Sequence, residues 1–186
     1  MEALKKEKNY YTYSDYLTWD DDARYELIDG VPYLMSPAPR QEHQEVSMEI
    51  AKQLAVFLTG KPCKVFAAPF DVRLNVDKAD DTVVQPDILV VCDKSKLDGK
   101  SCNGAPDLVI EILSPSSLKS DRITKFNKYL QAGVREYWIV DPDQKTVDVY
   151  TLENGKYFAA VYSDTDVVPV SVLEGCEINL QDVFAE

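Results

Sequence analysis

The sequence predicts an α/β fold with a central mixed β-sheet flanked by helices, and three stretches carry that prediction. Residues 108–113 are apolar except for Glu111, the pattern of a strand covered on both faces. Residues 83–91 repeat the pattern, with Asp87 just ahead of Ile88-Leu89-Val90-Val91. The first of these strands runs into a basic segment, 117–132, in which Ile123, Phe126, Tyr129 and Leu130 recur at helical spacing. An ionised carboxylate in a covered strand needs a cation, a metal or a shifted pKa. Two such acids on neighbouring strands are what a divalent-metal site requires.

With 186 residues the chain is expected to form one domain, 1–186, large enough to bury a core. No N-terminal apolar segment follows Met1, and no apolar run approaches the ~18 residues that span a membrane. Export and membrane insertion are therefore not expected. Cys63, Cys92, Cys102 and Cys176 are scattered without a C-x-x-C pair, which suggests neither a zinc knuckle nor a disulfide framework and fits a reduced, cytoplasmic setting. The net charge of -12 argues against a protein that simply coats nucleic acid, but not against a nuclease. Within 119–128, Lys119, Arg122, Lys125 and Lys128 face only Asp121, so a locally positive field is expected there.

Taken in order, residues 1–12 read as a polar, frayed start, followed by a short helix over 14–19 with Thr12 or Ser14 as N-cap. Residues 24–35 read as a hairpin turning at Asp29-Gly30. In its first strand Glu26 shares a face with Ile28 rather than with solvating neighbours, the mark of either a functional carboxylate or a strand salt bridge. Val46, Ile50, Leu54, Phe57 and Leu58 give 41–59 helical spacing, with the only histidine, His43, on its buried face. Capping or packing is the simpler expectation for that histidine, and no G-x-S-x-G sequence supplies it with a triad. Residues 64–68 and 70–74 read as a strand bent at Pro69, and 93–106 as a polar loop. Residues 136–140 form a strand stopped at Asp141-Pro142, residues 146–162 a hairpin around Asn154-Gly155, and the tail a short strand and a helical turn.

Period-two alternation places Glu111 on one face with Val109 and Leu113, and Leu108, Ile110 and Ile112 on the other. The position two residues beyond Glu111, which would stand beside it, is Leu113 and carries no charge. At ~100° per residue the helix that follows brings Lys125 to the edge of its apolar face, next to Tyr129, and turns Lys128 toward water.

Asp87 after Pro86, Glu111 in the next strand and a lysine nearby resemble the PD-(D/E)XK phosphodiesterase superfamily, the restriction-endonuclease-like fold. More closely, the blocks 25–30 (YELIDG), 85–87 (QPD), 107–116 (DLVIEILSPS), Lys125, Tyr129 and 133–142 (GVREYWIVDP) are similar to the Uma-type restriction-endonuclease family, in chain order from about residue 13 to 150. The resemblance implies a restriction-endonuclease-like core with added N-terminal and C-terminal β-hairpins. It implies that Asp87, Glu111 and the Ile112 carbonyl hold Mg²⁺, with Mn²⁺ as a substitute, and that Lys125 is the catalytic lysine. Glu26 would ligate a second metal or hold water in the outer shell. Leu113 departs from the superfamily pattern, and the shift of the lysine onto the helix is a departure that the Uma-type family shares. The implied partner is DNA, and cutting both strands calls for a homodimer. Two other readings stay open: a catalytically silent nucleic-acid-binding or scaffold protein, and a carboxylate-pair sugar hydrolase that would have no use for Lys125.

Overall fold

The computed structural model describes residues 9–20, 23–35, 38–115 and 120–185. The first hairpin is β1 (Tyr25–Ile28) and β2 (Val31–Leu34), paired antiparallel with Ile28 opposite Val31. Its turn residues Asp29 (φ 51°) and Gly30 (φ 74°) are both left-handed, and a Cβ at Gly30 would run into the Tyr10 ring. Helix α1 (Tyr13–Tyr16) starts at Thr12, whose backbone N–H donates to the Asp15 carboxylate at 3.0 Å. The end of the 1–12 segment is less frayed than its polarity suggested. Tyr11 is buried with Tyr13, Leu27 and Val83, and its N–H donates to the Gly30 carbonyl. Residues 1–8 lie outside the described residues.

Helix α2 (Gln41–Phe57) buries Val46, Ile50 and Leu54, as its spacing predicted. Strand β3 (Lys64–Ala67) leads through Pro69 into β4 (Asp71–Arg73), and here the chain does more than bend. Two sheets meet at this point. Strand β4 belongs to a five-stranded sheet with β2, β1, β5 (Val83–Val84) and β7 (Ser101–Asn103), in the order β2-β1-β5-β4-β7. The six-stranded sheet contains β3, β6 (Ile88–Val91), β8 (Leu108–Ile112), β9 (Glu136–Asp141), β10 (Thr146–Glu153) and β11 (Lys156–Ser163), in the order β11-β10-β9-β8-β6-β3. Segment 93–106 is correspondingly more than a loop, since it holds a 3₁₀ turn at Lys94–Lys96 and β7, which runs parallel to β4.

The six-stranded sheet is mixed: β8 and β9 are parallel, and its other neighbouring pairs are antiparallel. The parallel pair is joined through a π-helical turn (Ser120–Lys125) and α3 (Phe126–Ala132), which stops at Gly133 in the left-handed region (φ 85°). The alternation read from the sequence sorts β8 between two cores. Leu108, Ile110 and Ile112 pack with Ile50 and Leu54 of α2. Val109 and Leu113 pack with Tyr129 of α3 and Tyr137 of β9. Each of the fully buried aliphatic residues contributes about 1.5–3 kcal/mol by leaving water. The tail adds β12 (Val167–Pro169), β13 (Glu177–Asn179) and α4 (Leu180–Val183), whose apolar residues close the α2 side of the core.

The cysteine expectation needs one correction. Cys63 and Cys92 form a disulfide, while Cys102 and Cys176 are free and buried. The register explains the pairing: Lys64 of β3 lies opposite Val91 of β6, so the next residues outward, Cys63 and Cys92, face each other. Sequence spacing alone carried no sign of that register.

Candidate active site

The site forms where the chain crosses from one sheet to the other. Gln85-Pro86-Asp87 links β5 to β6, and Pro86 has no N–H with which to continue a ladder. Ile88 lies opposite Ile110 in the β6–β8 register, which sets Asp87 and Glu111 across from each other at the strand ends. From the other sheet β1 supplies Glu26, whose Oε1 accepts the Gln85 N–H at 3.0 Å. Helix α3 and the turn before it cover the Glu111 side, and the start of α2 covers the Asp87 side.

Glu111 is 3% exposed, and the side chains that hydrogen-bond it from the described residues both end on Oε1: Lys125 Nζ at 3.0 Å and the Tyr129 hydroxyl at 2.6 Å. Lys125 Nζ also lies 2.8 Å from Glu26 Oε1 and 3.6 Å from Asp121 Oδ1. Three carboxylates thus share one buried ammonium. Burial pulls the Lys125 pKa down, but Glu111, Glu26 and Asp121 outweigh it and hold the ammonium well above the ordinary lysine value. Burial raises the Glu111 carboxyl well above the carboxylate range, and Asp121, Asp87 and Glu26 add to this against the pull of Lys125. The acids thus act on both groups in the same direction, holding the Lys125 ammonium charged and adding to the effect of burial on Glu111. Glu26 Oε2 is buried with no hydrogen-bond partner among the described residues.

Asp87 is more open. Its side chain is 22% exposed, and Oδ2 accepts the Ile112 N–H at 2.8 Å and lies 3.3 Å from His43 Nε2. Burial lowers the His43 pKa, but the hydrogen bond and charge of Asp87 and the Ile112 backbone raise it further, for a net upward shift. His43 Nδ1 is buried without a partner among the described residues. Beside it a cleft of about 30 Å³, whose lining includes Arg40, Glu42, His43, Leu113, Ser114 and Asp143, opens to the surface.

The structure therefore brings together Glu26, Asp87, Glu111, Ile112 and Lys125. It also corrects several expectations. His43 contacts Asp87 rather than only capping or packing, and Lys125, expected at the edge of the apolar face, does reach the strands but is sealed in. Lys128 does not simply face water, since its Nζ pairs with Asp29 Oδ1 at 2.6 Å. Ile123, placed on the apolar face, is 55% exposed. The cause is the π-helical turn, whose wider winding breaks the 100° count between Ser120 and Lys125. Of the residues expected to give a positive field, Arg122 pairs with Asp148 at 2.7 Å, Lys125 and Lys128 are paired as above, and Lys119 lies outside the described residues. Asp121 and Tyr129 were missed as site residues. Their i, i+4, i+8 spacing with Lys125 was a readable signal, because acid–base pairs four apart meet on a helix and a core tyrosine needs a partner for its hydroxyl.

Among the described residues no three His, Cys, Asp or Glu side chains converge as a ready-made metal cage. Nor is any described helix long and apolar enough to cross a membrane.

The sequence profile of the Uma2 family, described as "Putative restriction endonuclease", matches residues 13–181. The chain belongs to the Uma2 family. It is 26% identical over 156 residues to the uncharacterized protein slr1290 of Synechocystis sp., an alignment that covers 82% of this chain and 80% of that one. It is also similar to the crystal structure of a protein from Anabaena variabilis titled "a putative nuclease belonging to DUF820". The TM-score is 0.75 at 22% identity, covering 94% of this chain and 97% of that chain. With this likeness the mixed sheet and its flanking helices are those of the restriction-endonuclease-like fold. The added N-terminal and C-terminal hairpins are β1–β2 and β10–β11.

Proposed function

We propose that this Uma2 chain is a divalent-metal-dependent DNA endonuclease that hydrolyses phosphodiester bonds at the Asp87–Glu111–Lys125 site. One observation carries the reading: Asp87 and Glu111 are opposed at the ends of β6 and β8, and Glu111 stands beside a buried ammonium that three acids keep charged. The family description and the name of the Anabaena protein support the same class of reaction.

The donor set fits a hard cation. Asp87, Glu111 and the Ile112 carbonyl are all oxygen donors, and one or two carboxylates completed by waters are what Mg²⁺ takes, with Mn²⁺ as its substitute. The excess negative charge around Lys125 also favours a further cation. These three residues would hold the ion, which when bound supplies Lewis acidity at a phosphate and a water of lowered pKa. The scissile phosphate approaches from the partly exposed side of Asp87. Lys125, fixed as an ammonium, stabilises negative charge developing on the phosphate oxygens and takes no proton from the attacking water. Glu26 works from the outer shell, holding Lys125 in place. The active form is a homodimer, since two sites are needed to cut both strands.

The test is incubation with supercoiled plasmid in Mg²⁺ or Mn²⁺, with and without chelator. Cleavage is expected only with metal, and Asp87→Asn and Glu111→Gln are each expected to lose about 100-fold or more of the rate. Cleavage that persists in chelator, or that both variants retain, would refute the proposal.

A further inference from the structure

The two carboxylates of the site are held in the same way by unrelated parts of the chain. On Glu111, Lys125 and Tyr129 both end on Oε1. On Asp87, the Ile112 N–H and His43 Nε2 both approach Oδ2. In each case one oxygen gathers two partners, one of them a side chain from a helix packed on the strand. His43 comes from α2 and Tyr129 from α3, on opposite faces of the six-stranded sheet. We infer that His43 and Tyr129 are positioning residues that clamp one oxygen of each carboxylate and so present Asp87 Oδ1 and Glu111 Oε2 to one divalent cation, an inference that rests on the metal site proposed above.

The physical need is plain. A free carboxylate turns about its last bond and offers either oxygen, and each oxygen serves equally well only in the absence of neighbours. A pair of donors on one oxygen removes that freedom before the ion arrives, so less ordering remains to be done on binding. Outer hydrogen-bond partners of metal ligands act in this way, and losing one costs about 10–100-fold in affinity. Tyr129 suits the task because its ring is fully buried and its hydroxyl donates to Glu111 Oε1. His43 suits it because its ring is anchored in the first turn of a long helix and its other nitrogen is not engaged by any described group.

Calorimetric titration of the full chain with Mn²⁺ tests the inference. Tyr129→Phe, which removes one oxygen atom, and His43→Ala are each expected to weaken Mn²⁺ binding by about ten-fold. His43→Gln, which restores an N–H near the position of Nε2, should recover part of the loss. Tyr157→Phe is the control: its hydroxyl donates to the Val134 carbonyl, away from the site, so affinity should hold. Circular dichroism and thermal melting check the fold, and if Tyr129→Phe unfolds, the His43 pair decides. Unchanged affinity in His43→Ala and Tyr129→Phe overturns the clamp while leaving the metal site standing. Absence of Mn²⁺ binding in the unaltered chain overturns both.

Discussion

Lys125 and Lys128 lie three residues apart on the same stretch and both are ion-paired, yet they occupy different electrostatic worlds. The Lys125 side chain is 6% exposed and shared by Glu26, Glu111 and Asp121. Lys128 pairs with Asp29, whose side chain is 64% exposed at the tip of the first hairpin. Coulomb attraction at the same separation is several-fold stronger away from water, but so is the cost of leaving a charge unmatched. An ammonium sealed among acids is therefore a fixed part of the structure, whereas one at the surface is exchangeable for solvent and salt.

The largest test of this contrast is Lys125→Met. Removing the ammonium leaves Glu26, Glu111 and Asp121 facing one another with no cation between them, and breaking such a buried cluster is expected to cost about 3–5 kcal/mol. The loss should depend on pH. Burial already raises the Glu111 carboxyl, with Lys125 opposing it. Without Lys125 the folded-state pKa climbs further above the unfolded value. A carboxyl raised in the folded state adds stability below its unfolded pKa, and that contribution is lost as pH rises through the folded one. Urea denaturation should accordingly find the variant closest to the parent near about pH 5 and furthest from it near about pH 8. A deficit that stays constant over that range would show that Lys125 does not compensate the acids. Cleavage, measured where the variant is folded, should fall by about two to three orders of magnitude.

How much of this was legible beforehand depended on whether the signal was local. Period-two alternation placed Glu111 on the α3 side of β8, and the Asp29-Gly30 and Asn154-Gly155 turns fixed both hairpins, because strand pleat and turn chemistry need only neighbouring residues. The Cys63–Cys92 bridge and the β4–β7 pairing were not legible, since each depends on a register between strands far apart in sequence. Lys125 was found, but its burial was underestimated, and Lys128 was sent to solvent. The first error arose from counting an ordinary helical turn where the chain winds a π-turn, and the second because Lys128, in the ordinary helix α3, meets Asp29 of the first hairpin, a partner far away in sequence. His43 was placed correctly on the inner face of α2, but its contact with Asp87 was not foreseen, because the helix says which way a residue points and not which strand end it meets.

The smallest effect expected is the other half of the comparison. Lys128→Ala removes an ion pair at the hairpin tip, where one partner is mostly exposed, and such pairs contribute roughly 0–1 kcal/mol. Asp29 keeps its left-handed turn without Lys128, since that conformation is set by the turn and by its N–H donating to Thr82 Oγ1 at 3.3 Å. Cleavage in Lys128→Ala should stay within about two-fold of the parent, and a double-mutant cycle with Asp29→Ala should give a coupling near zero that shrinks further in salt. A loss comparable to that of Lys125→Met would mean that the hairpin tip is tied to the chemistry, and that burial is not what separates these two lysines.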